Sequence, residues 1–428
     1  MKVHKTWAVV AVCAFILTGC RGSDGGDGGG GDISAPGVTS EPCPDAVNPD
    51  NGCIFLGQIS DLTVGPFAPL AVPITDAEKA FWQRVNEDGG IDGYDIDVSK
   101  YIRDNLYDPQ THAQVYQEIQ PDVLGLAQTL GSPTTLAILE DLKANDVVAA
   151  PASWTSLWEF EDVILESGTN YCLESMNIVD YIAEQNDAKS VMMVFFPGDY
   201  GGDGAAGAKI AAEANGMTFT EVETGPGAEA QAGAVSAVVK QKPDLVILAT
   251  GPTEAAVIVG QSAAQGYQGQ FVGLGPVWNP VLLETPAAPA FEAMFLASGY
   301  WGSWGTDTPG HEAMRAALPD VEPNDGYTAG WVWSYPMKAA LEEWLGGDYD
   351  KTRAGLLEAV QSLKTVDYEG MLPVEAGKFD GEPNETVFRE SVLSKVDPSA
   401  PTGLTIVQDF SAGPTASEYD LTESCYGG

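Results

Sequence analysis

The chain has 428 residues, 44% of them hydrophobic, and its 61 acidic and 20 basic side chains give a formal net charge of −41. This length is typical of two or three domains. Such a negative surface repels nucleic acid and anionic lipid head groups, so we expect no nucleic-acid partner. Solubility or salt tolerance outside the cell explains the charge more simply than an acidic binding face.

The first 20 residues have the pattern of a bacterial lipoprotein signal. Two lysines precede an apolar run over residues 8–17, and the junction Leu-Thr-Gly-Cys that ends at Cys20 resembles a lipobox. We expect a signal peptide over 1–19, cleavage before Cys20 and acylation of its sulfur, which anchors the protein to the membrane by lipid. Residues 20–42, rich in Gly and Asp, would form a flexible linker. An ordinary signal peptide with a chance cysteine is the alternative.

Four cysteines remain besides Cys20 and the one inside the signal, an even number that suits an oxidising location. Cys43 and Cys53 flank a short loop, and we expect them to pair. Cys172 would then pair with Cys425, although four cysteines allow three connectivities. The spacings are not those of a zinc site, so we expect no metal.

A helix, a glycine turn and a strand are predicted between residues 75 and 109. Residues 75–78 (Thr-Asp-Ala-Glu) form a capping box that opens the helix, and the glycines of Asn-Glu-Asp-Gly-Gly-Ile-Asp-Gly at 86–93 end it. Apolar and acidic side chains alternate over residues 94–98, which predicts a strand, and Pro109 suits the start of the next helix. These segments resemble the extracytoplasmic solute-binding proteins of branched-chain amino-acid type (Leu/Ile/Val-binding-like) ABC importers. Those proteins carry a similar helix, Asn-x-x-Gly-Gly-Ile-x-Gly turn, strand and Asp-Pro loop near the mature N-terminus.

Strands and helices alternate over residues 53–275, which predicts an α/β fold. The runs 191–196 and 245–249 are apolar throughout, as is typical of parallel strands covered on both faces. Strands are expected at 54–60, 94–100, 122–126, 146–150, 190–196, 217–222, 244–250 and 270–274.

The resemblance extends over roughly residues 53–400 and implies a type I periplasmic binding protein fold. In that fold, two Rossmann-like lobes are joined by a multi-strand hinge, an arrangement known as the Venus flytrap. The alternation of strand and helix pauses at 168–176 and again after residue 298, where such a chain would cross between lobes. We therefore expect an N-terminal lobe of residues 43–172 and 300–368, and a C-terminal lobe of residues 173–299 and 369–428.

The sequence contains one misplaced dinucleotide signature and no signature of a catalytic serine. Residues 202–207 match Gly-x-Gly-x-x-Gly, a dinucleotide fingerprint, but the first glycine comes six residues after the strand's last phenylalanine. A phosphate-binding turn needs that glycine almost at once. The sequence has no Gly-x-Ser-x-Gly elbow, and neither His112 nor His311 lies in a suggestive context for nucleophilic catalysis. We expect no enzymatic activity and no cofactor.

The turn after the strand near residue 125 is the first candidate ligand site. The family holds its ligand carboxylate with a Ser/Thr-rich turn at this place, so the resemblance implies this role for Gly131, Ser132 and Thr134. Backbone N–H groups at a helix N-terminus suit an anion. An ordinary helix cap is the alternative for each of these residues.

The loop after the next strand is the second candidate. In the family a Pro-Ala-x-Thr segment contributes a carbonyl and a hydroxyl to the ligand, which implies contacts from Ala152 and Thr155. This chain departs from that pattern, because Trp154 stands where the hydroxyl is expected. Trp154 could form an apolar wall of the pocket, with a core tryptophan as the alternative.

The remaining candidates lie in the second lobe and in the region where the two lobes should face each other. Tyr200 lies in a segment that resembles the family's Asp-x-Tyr-Gly loop, whose tyrosine faces the cleft. Glu254 resembles the family's acidic partner of the ligand ammonium, although an acid at a helix start also favours the helix dipole. Trp278 and Tyr300 belong to an aromatic-rich region where the lobes should face each other, and we expect them to line the pocket.

We therefore predict a lipid-anchored, extracytoplasmic binding protein that works without a cofactor. It would trap a small solute, an amino acid of branched-chain type or a related amide, by hinge closure. It would then deliver the solute to the permease subunits of an ABC transporter. A ligand-sensing receptor domain of the same fold and a secreted hydrolase are the alternatives.

Overall fold

The computed structural model describes residues 35–185 and 187–427. The predicted signal peptide over 1–19 and the predicted lipidation at Cys20 lie outside these ranges. Within them, no helix combines the length and the apolar character needed to cross a membrane.

The first sheet is built from the N-terminal part of the chain. Its strands are β1 (Val38–Thr39), β2 (Gly52–Ser60), β3 (Tyr94–Asp104), β4 (Gly125–Leu130) and β5 (Ala149–Ala152), and the helices between them are α1 (Ala68–Glu87), α2 (Pro109–Ile119) and α3 (Ser132–Ala144). Strand β2 pairs in parallel with β3 and with β4, and β4 pairs in parallel with β5. The short β1 pairs with β2 in the antiparallel direction.

The second sheet is built from the later part of the chain. In chain order the elements of this part are α4 (Tyr171–Gln185), β6 (Ser190–Phe195), α5 (Asp199–Ala214), β7 (Thr218–Glu223), α6 (Ala232–Gln241), β8 (Leu245–Ala249), α7 (Pro252–Ala264), β9 (Gln270–Gly273), α8 (Ala288–Met294), β10 (Phe295–Gly299), α9 (Pro309–Ala317), α10 (Asp325–Gly346), α11 (Arg353–Ser362), α12 (Pro383–Thr386), β11 (Ser391–Val396), β12 (Leu404–Ser411) and α13 (Pro414–Glu418). The seven strands of the sheet lie in the order β12-β11-β10-β9-β8-β6-β7. Neighbours from β7 to β10 are parallel, whereas β11 and β12 are added antiparallel at one edge.

The α/β prediction is confirmed, and each of the eight predicted strands is present. The strands predicted at 122–126 and 146–150 begin three residues later, at Gly125 and Ala149. The apolar residues just before each of them are buried, which explains why the sequence pattern starts early.

The capping-box prediction at residues 75–78 is wrong. Helix α1 begins at Ala68, one residue before Pro69, and continues through Pro73. The Thr75 hydroxyl donates to Ala71 O inside the helix and to the side chain of Gln128 on β4, at 2.9 Å each. The residues that look like a cap therefore bind polar side chains of the sheet. The predicted end of the helix is confirmed, because α1 stops at Glu87, just before the glycines.

The linker prediction does not hold for residues 35–42. Ala35 is buried, and Val38 and Thr39 pair with Ile54 and Cys53 of β2. Gly37 has a φ of +74°, and a Cβ there would lie 2.3 Å from the backbone nitrogen of Leu124. Only glycine allows this close approach, so the end of the glycine-rich segment belongs to the folded part.

Helix α10 joins the later part of the chain to the first sheet. It packs along α1 and contacts β5, and its buried face carries Trp331, Trp333 and Trp344. After β10 the chain returns to the first sheet, which it left after β5. This return brings Trp333 beside the loops that follow β4 and β5.

Candidate ligand-binding site

A narrow cavity, which we call the cleft cavity, lies at the carboxyl ends of β4 and β5. The starts of α4 and α5 lie on its other side. Parallel strands end at one edge of a sheet, and open α/β sheets bind ligands at that edge. The cleft cavity is lined by Phe67, Leu70, Ile74, Tyr107, Leu130, Gly131, Ser132, Ala152, Trp154, Tyr171, Tyr200, Pro276 and Trp333.

The lining is apolar and aromatic. Among the described residues, no aspartate, glutamate, lysine, arginine or histidine belongs to it. An apolar lining with a few polar groups is typical of small-molecule sites. The chemistry of the cleft cavity therefore depends on a small number of hydroxyl, indole and backbone groups.

The N-terminus of α3 supplies polar groups to the cleft cavity. No side chain caps this terminus, and Pro133 at its second position has no N–H. The Ser132 side chain is 1% exposed, and its Oγ has no hydrogen-bond partner among the described residues. The Thr134 hydroxyl instead donates to Gly131 O at 2.8 Å. The terminus therefore offers the Ser132 hydroxyl and the N–H groups of Ser132 and Thr134 as donors.

Gly131 allows the backbone to approach the cavity wall. Its φ is +97°, a region that favours glycine. A Cβ at this position would lie 2.6 Å from Thr134 Oγ1 and 2.7 Å from the Tyr107 ring. Tyr107 itself has a φ of 53° and lies in the loop just before the Asp-Pro start of α2.

Trp154 forms one wall and is held by aromatic neighbours. Its ring centroid lies 4.2 Å from that of Tyr300 and 4.6 Å from that of Trp333. Its indole N–H donates to Ser167 O at 3.0 Å. Trp154 thus lines the cleft cavity and is also a packed core residue, so both interpretations of this tryptophan apply.

Two tyrosines close the opposite side. The rings of Tyr171 and Tyr200 have centroids 4.7 Å apart, and the Tyr200 ring lies 5.9 Å from that of Phe67. The Tyr200 hydroxyl donates to Thr250 O at 3.3 Å. Burial raises the pKa of both tyrosines well above its usual value, so they stay neutral.

Five of the ten residues expected to bind ligand line the cleft cavity, namely Gly131, Ser132, Ala152, Trp154 and Tyr200. Thr134 lies directly behind Gly131, to which it is hydrogen-bonded. The roles of all these residues in binding stay predictions.

Besides Thr134, four expected residues lie outside the lining. Thr155 Oγ1 accepts the Leu157 N–H at 3.3 Å, and the Trp278 indole donates to Thr402 O at 3.0 Å. Tyr300 stacks behind Trp154, as described above. Glu254 is buried, and its Oε1 accepts the N–H of Gly227 at 2.6 Å.

Sequence reasoning missed several lining residues, among them Phe67, Tyr107, Tyr171 and Trp333. Tyr107 could have been predicted from the sequence, because it lies in the Asp-Pro loop that carries the resemblance. Trp333 could not, since it follows β5 by about 180 residues and reaches the site only through the packing of α10.

A buried acid lies just behind this site. Glu174 on α4 accepts the Tyr300 hydroxyl at 2.6 Å and the Gly275 N–H at 2.9 Å. Burial raises its pKa to about 7, against the opposing effect of these hydrogen bonds. The group is therefore largely protonated at slightly acid pH.

Both expected disulfides are bonded in the structure. Cys43 and Cys53 close a short loop next to β2. Cys172 at the start of α4 is bonded to Cys425, across a sequence separation of 253 residues. The second disulfide fixes the C-terminal segment beside Ser156, whose hydroxyl accepts the Cys425 N–H at 2.8 Å.

The glycine fingerprint at 202–207 lies inside helix α5. A Cβ at Gly207 would lie 2.0 Å from Cys172 O, so this glycine allows α5 to pack closely on α4. Gly207 therefore serves helix packing, and the segment is part of a helix instead of a phosphate-binding turn.

Comparison with known proteins identifies the family. The profile described as "Periplasmic binding protein" matches residues 54–399. The chain belongs to this family. Membership implies a solute-binding role outside the cytoplasm. No curated protein sequence gives a significant match.

Solved structures share the fold over most of the chain. A fatty acid ABC transporter substrate-binding protein from Thermomonospora curvata is 28% identical, with a TM-score of 0.81 over 91% of this chain and 97% of its own. A branched-chain amino acid ABC transporter protein from Thermus thermophilus, with bound valine, is 16% identical, with a TM-score of 0.74 over 86% and 98%. A leucine-binding protein from Thermotoga maritima is 15% identical, with a TM-score of 0.68 over 84% and 98%.

These likenesses confirm the predicted type I periplasmic binding protein fold and the resemblance to Leu/Ile/Val-binding-like proteins. The neighbours are named for binding or transporting solutes, and none of the three is named as an enzyme.

Proposed function

We propose that this protein is the extracytoplasmic solute-binding component of an ABC importer and that it captures one small solute in the cleft cavity. The observation that carries the proposal is the position of this cavity between loops of the first sheet and helices that accompany the second sheet. Type I proteins bind solutes in such a cleft.

Solute capture would proceed by hinge closure. We assign residues 43–172 and 300–368 to the N-terminal lobe, and residues 173–299 and 369–428 to the C-terminal lobe. The two sheets support this division, because β2 to β5 fall in the first lobe and β6 to β12 in the second. The lobes touch where the Asn279 side chain donates to Pro69 O at 3.1 Å and where the Phe67 ring lies 6.3 Å from that of Phe196. A solute that touches both lobes stabilises the closed form, because it binds that form more tightly.

The solute would carry a carboxylate and an apolar body. The Ser132 hydroxyl and the free N-terminus of α3 suit the carboxylate, and the aromatic walls suit the body. The names of two neighbours, a fatty acid transporter protein and a protein with bound valine, agree with this pair of features. An amino acid of branched-chain type or a related amide is the solute that the sequence predicts, with Glu254 as the partner of its ammonium group.

Lipid attachment at Cys20 would hold the protein at the membrane, where it would meet the permease subunits. Cross-linking in membranes of the native cell tests this partnership. Capture of ABC permease subunits is expected, whereas capture of a signalling receptor would favour the sensory alternative.

Calorimetry on the purified protein tests the binding function. A panel of common amino acids, short amides, urea and small carboxylates should contain a solute that binds saturably with one site per chain. Analysis of the solute after incubation should find no product. Turnover would favour the secreted hydrolase, and a protein indifferent to the whole panel would contradict the proposal.

A further inference from the structure

We propose that Tyr107 limits the size of the solute that the cleft cavity accepts, and that Asn105 holds this tyrosine in position. The inference rests on the proposed function and narrows its solute class to molecules whose apolar body is compact and not aromatic. Three observations support it: the left-handed backbone that carries Tyr107, the buried contacts of Asn105, and the position of the Tyr107 ring.

The loop between β3 and α2 contains two consecutive residues in the left-handed region of the backbone. Leu106 has a φ of +55° and Tyr107 has a φ of +53°. Residues other than glycine rarely adopt this conformation, and it persists where surrounding contacts impose it. Leu106 is 42% exposed, whereas Tyr107 lines the cleft cavity. The unusual backbone therefore leaves one side chain in solvent and places an aromatic ring at the solute space.

Asn105 ties this turn to the first sheet. Its side chain is completely buried, and its Oδ1 accepts the Tyr107 N–H at 2.8 Å. Its amide group donates to the carbonyl oxygen of Leu130, the last residue of β4, at 3.0 Å. One side chain thus joins the backbone of Tyr107 to the strand end at the cavity. Asn105 is therefore a positioning residue for Tyr107.

His112 on α2 fixes the orientation of the Asn105 amide. The amide nitrogen of Asn105 lies 3.0 Å from His112 Nδ1, and His112 Nε2 lies 3.1 Å from the hydroxyl of Thr129 on β4. Burial lowers the pKa of His112 to about 3, so the ring is neutral and can accept at Nδ1 while it donates at Nε2. Both N–H groups of the Asn105 amide then have acceptors, which leaves its oxygen for the Tyr107 N–H.

The Tyr107 ring occupies space beside the end of β4. A Cβ added to Gly131 would lie 2.7 Å from this ring, so the ring lies against the bare backbone of the glycine. The ring also packs on Phe67, with centroids 4.8 Å apart, and Phe67 in turn lies 5.9 Å from the Tyr200 ring of the second lobe. Because packed side chains yield little and the cleft cavity is narrow, Tyr107 takes up room that a bulky solute would need.

Calorimetry with two amino acids of different bulk tests the inference. The probes are L-valine and L-phenylalanine, which share their charged groups and differ in the side chain. We expect the wild-type protein to bind L-valine at least about tenfold more tightly than L-phenylalanine, because extra bulk in a packed site is unfavourable. Tyr107→Gly removes the ring and suits the left-handed φ, so the variant should fold and this preference should fall at least about tenfold. Tyr107→Phe keeps the ring and should keep the preference of the wild type.

Leu106→Gly is the matched control. It makes the same backbone change at the neighbouring residue, which also has a left-handed φ but does not line the cleft cavity. The ratio of the two dissociation constants should stay that of the wild type. An unchanged ratio in Tyr107→Gly, or the same change in both glycine variants, would overturn the role of Tyr107.

Asn105→Ala tests the positioning role. Without its side chain the turn loses its bonds to Leu130 and to the Tyr107 N–H, so the preference for L-valine should fall as it does in Tyr107→Gly. Weaker binding of both probes by the same factor would mean that Asn105 only stabilises the fold, and would overturn this part of the inference.

A wild-type protein that binds neither amino acid, or that prefers L-phenylalanine, would overturn the inference. The solute panel then decides the proposed function separately. A solute of that panel that binds saturably leaves the proposed function intact, and a protein indifferent to the whole panel contradicts it as well.

Discussion

Replacing Glu174 by glutamine should change how the stability of the fold depends on pH. The carboxyl group is completely buried, and burial raises its pKa from 4.5 to about 7. Because the pKa is higher in the folded state than in the unfolded chain, the stabilising contribution is fully present below pH 4.5 and is lost as the pH rises through 7. At about 1.4 kcal/mol per pKa unit, the folded protein loses roughly 2 to 3 kcal/mol between pH 5 and 8 from this group.

Thermal unfolding at pH 5 and pH 8 measures the effect. An unfolding entropy of about 2.1 cal/mol/K per residue over the ~390 described residues converts this loss into roughly 3 °C. Wild-type protein should therefore lose about 3 °C more than Glu174→Gln over this pH interval. Glu213→Gln on the exposed side of α5 makes the same change in net charge and should behave as wild type. Identical pH profiles for wild type and Glu174→Gln would refute the reasoning.

Three other changes have consequences that can be measured. Arg353→Met removes the guanidinium group that donates to three backbone carbonyl oxygens just ahead of β4. Chemical denaturation should therefore show a free energy of unfolding lower by at least ~3 kcal/mol. Gly131→Ala should abolish solute binding in calorimetry, because the new Cβ enters the cavity wall. Gly216 also has a positive φ, of +67°, but open space around it, so Gly216→Ala should bind normally. Replacing Cys172 and Cys425 by serine should lower the free energy of unfolding by roughly 5 kcal/mol, because the bond closes a loop of 253 residues. Losses below 1 kcal/mol, or full binding by Gly131→Ala, would contradict these expectations.

The fold could be predicted well because its signals are local. Continuous apolar runs such as those of β6 and β8 indicate buried parallel strands, and Gly89 and Gly90 mark the end of α1. The start of α1 was missed for an equally physical reason. The Thr-Asp-Ala-Glu pattern at 75–78 has the spacing of a cap, but its buried Thr75 and Glu78 bind side chains of the sheet.

Only about half of the candidate site could be predicted from the sequence. Gly131, Ser132 and Trp154 follow strands directly, so the rule that sites lie at strand ends finds them. Trp333 and Tyr171 reach the cleft cavity by the packing of helices, which a sequence pattern does not reveal. Glu254 has the right position in the chain for a ligand contact, yet its side chain bonds Gly227 outside the lining. Distance along the chain identified the helix but could not fix the direction of the side chain.

Small-angle X-ray scattering of the protein with and without its solute tests most directly whether two lobes close over a guest. We predict that a saturating solute lowers the radius of gyration toward the roughly 22 Å expected of a compact chain of this length. Superimposable curves for the free protein and for a complex that calorimetry shows to be saturated would contradict hinge closure.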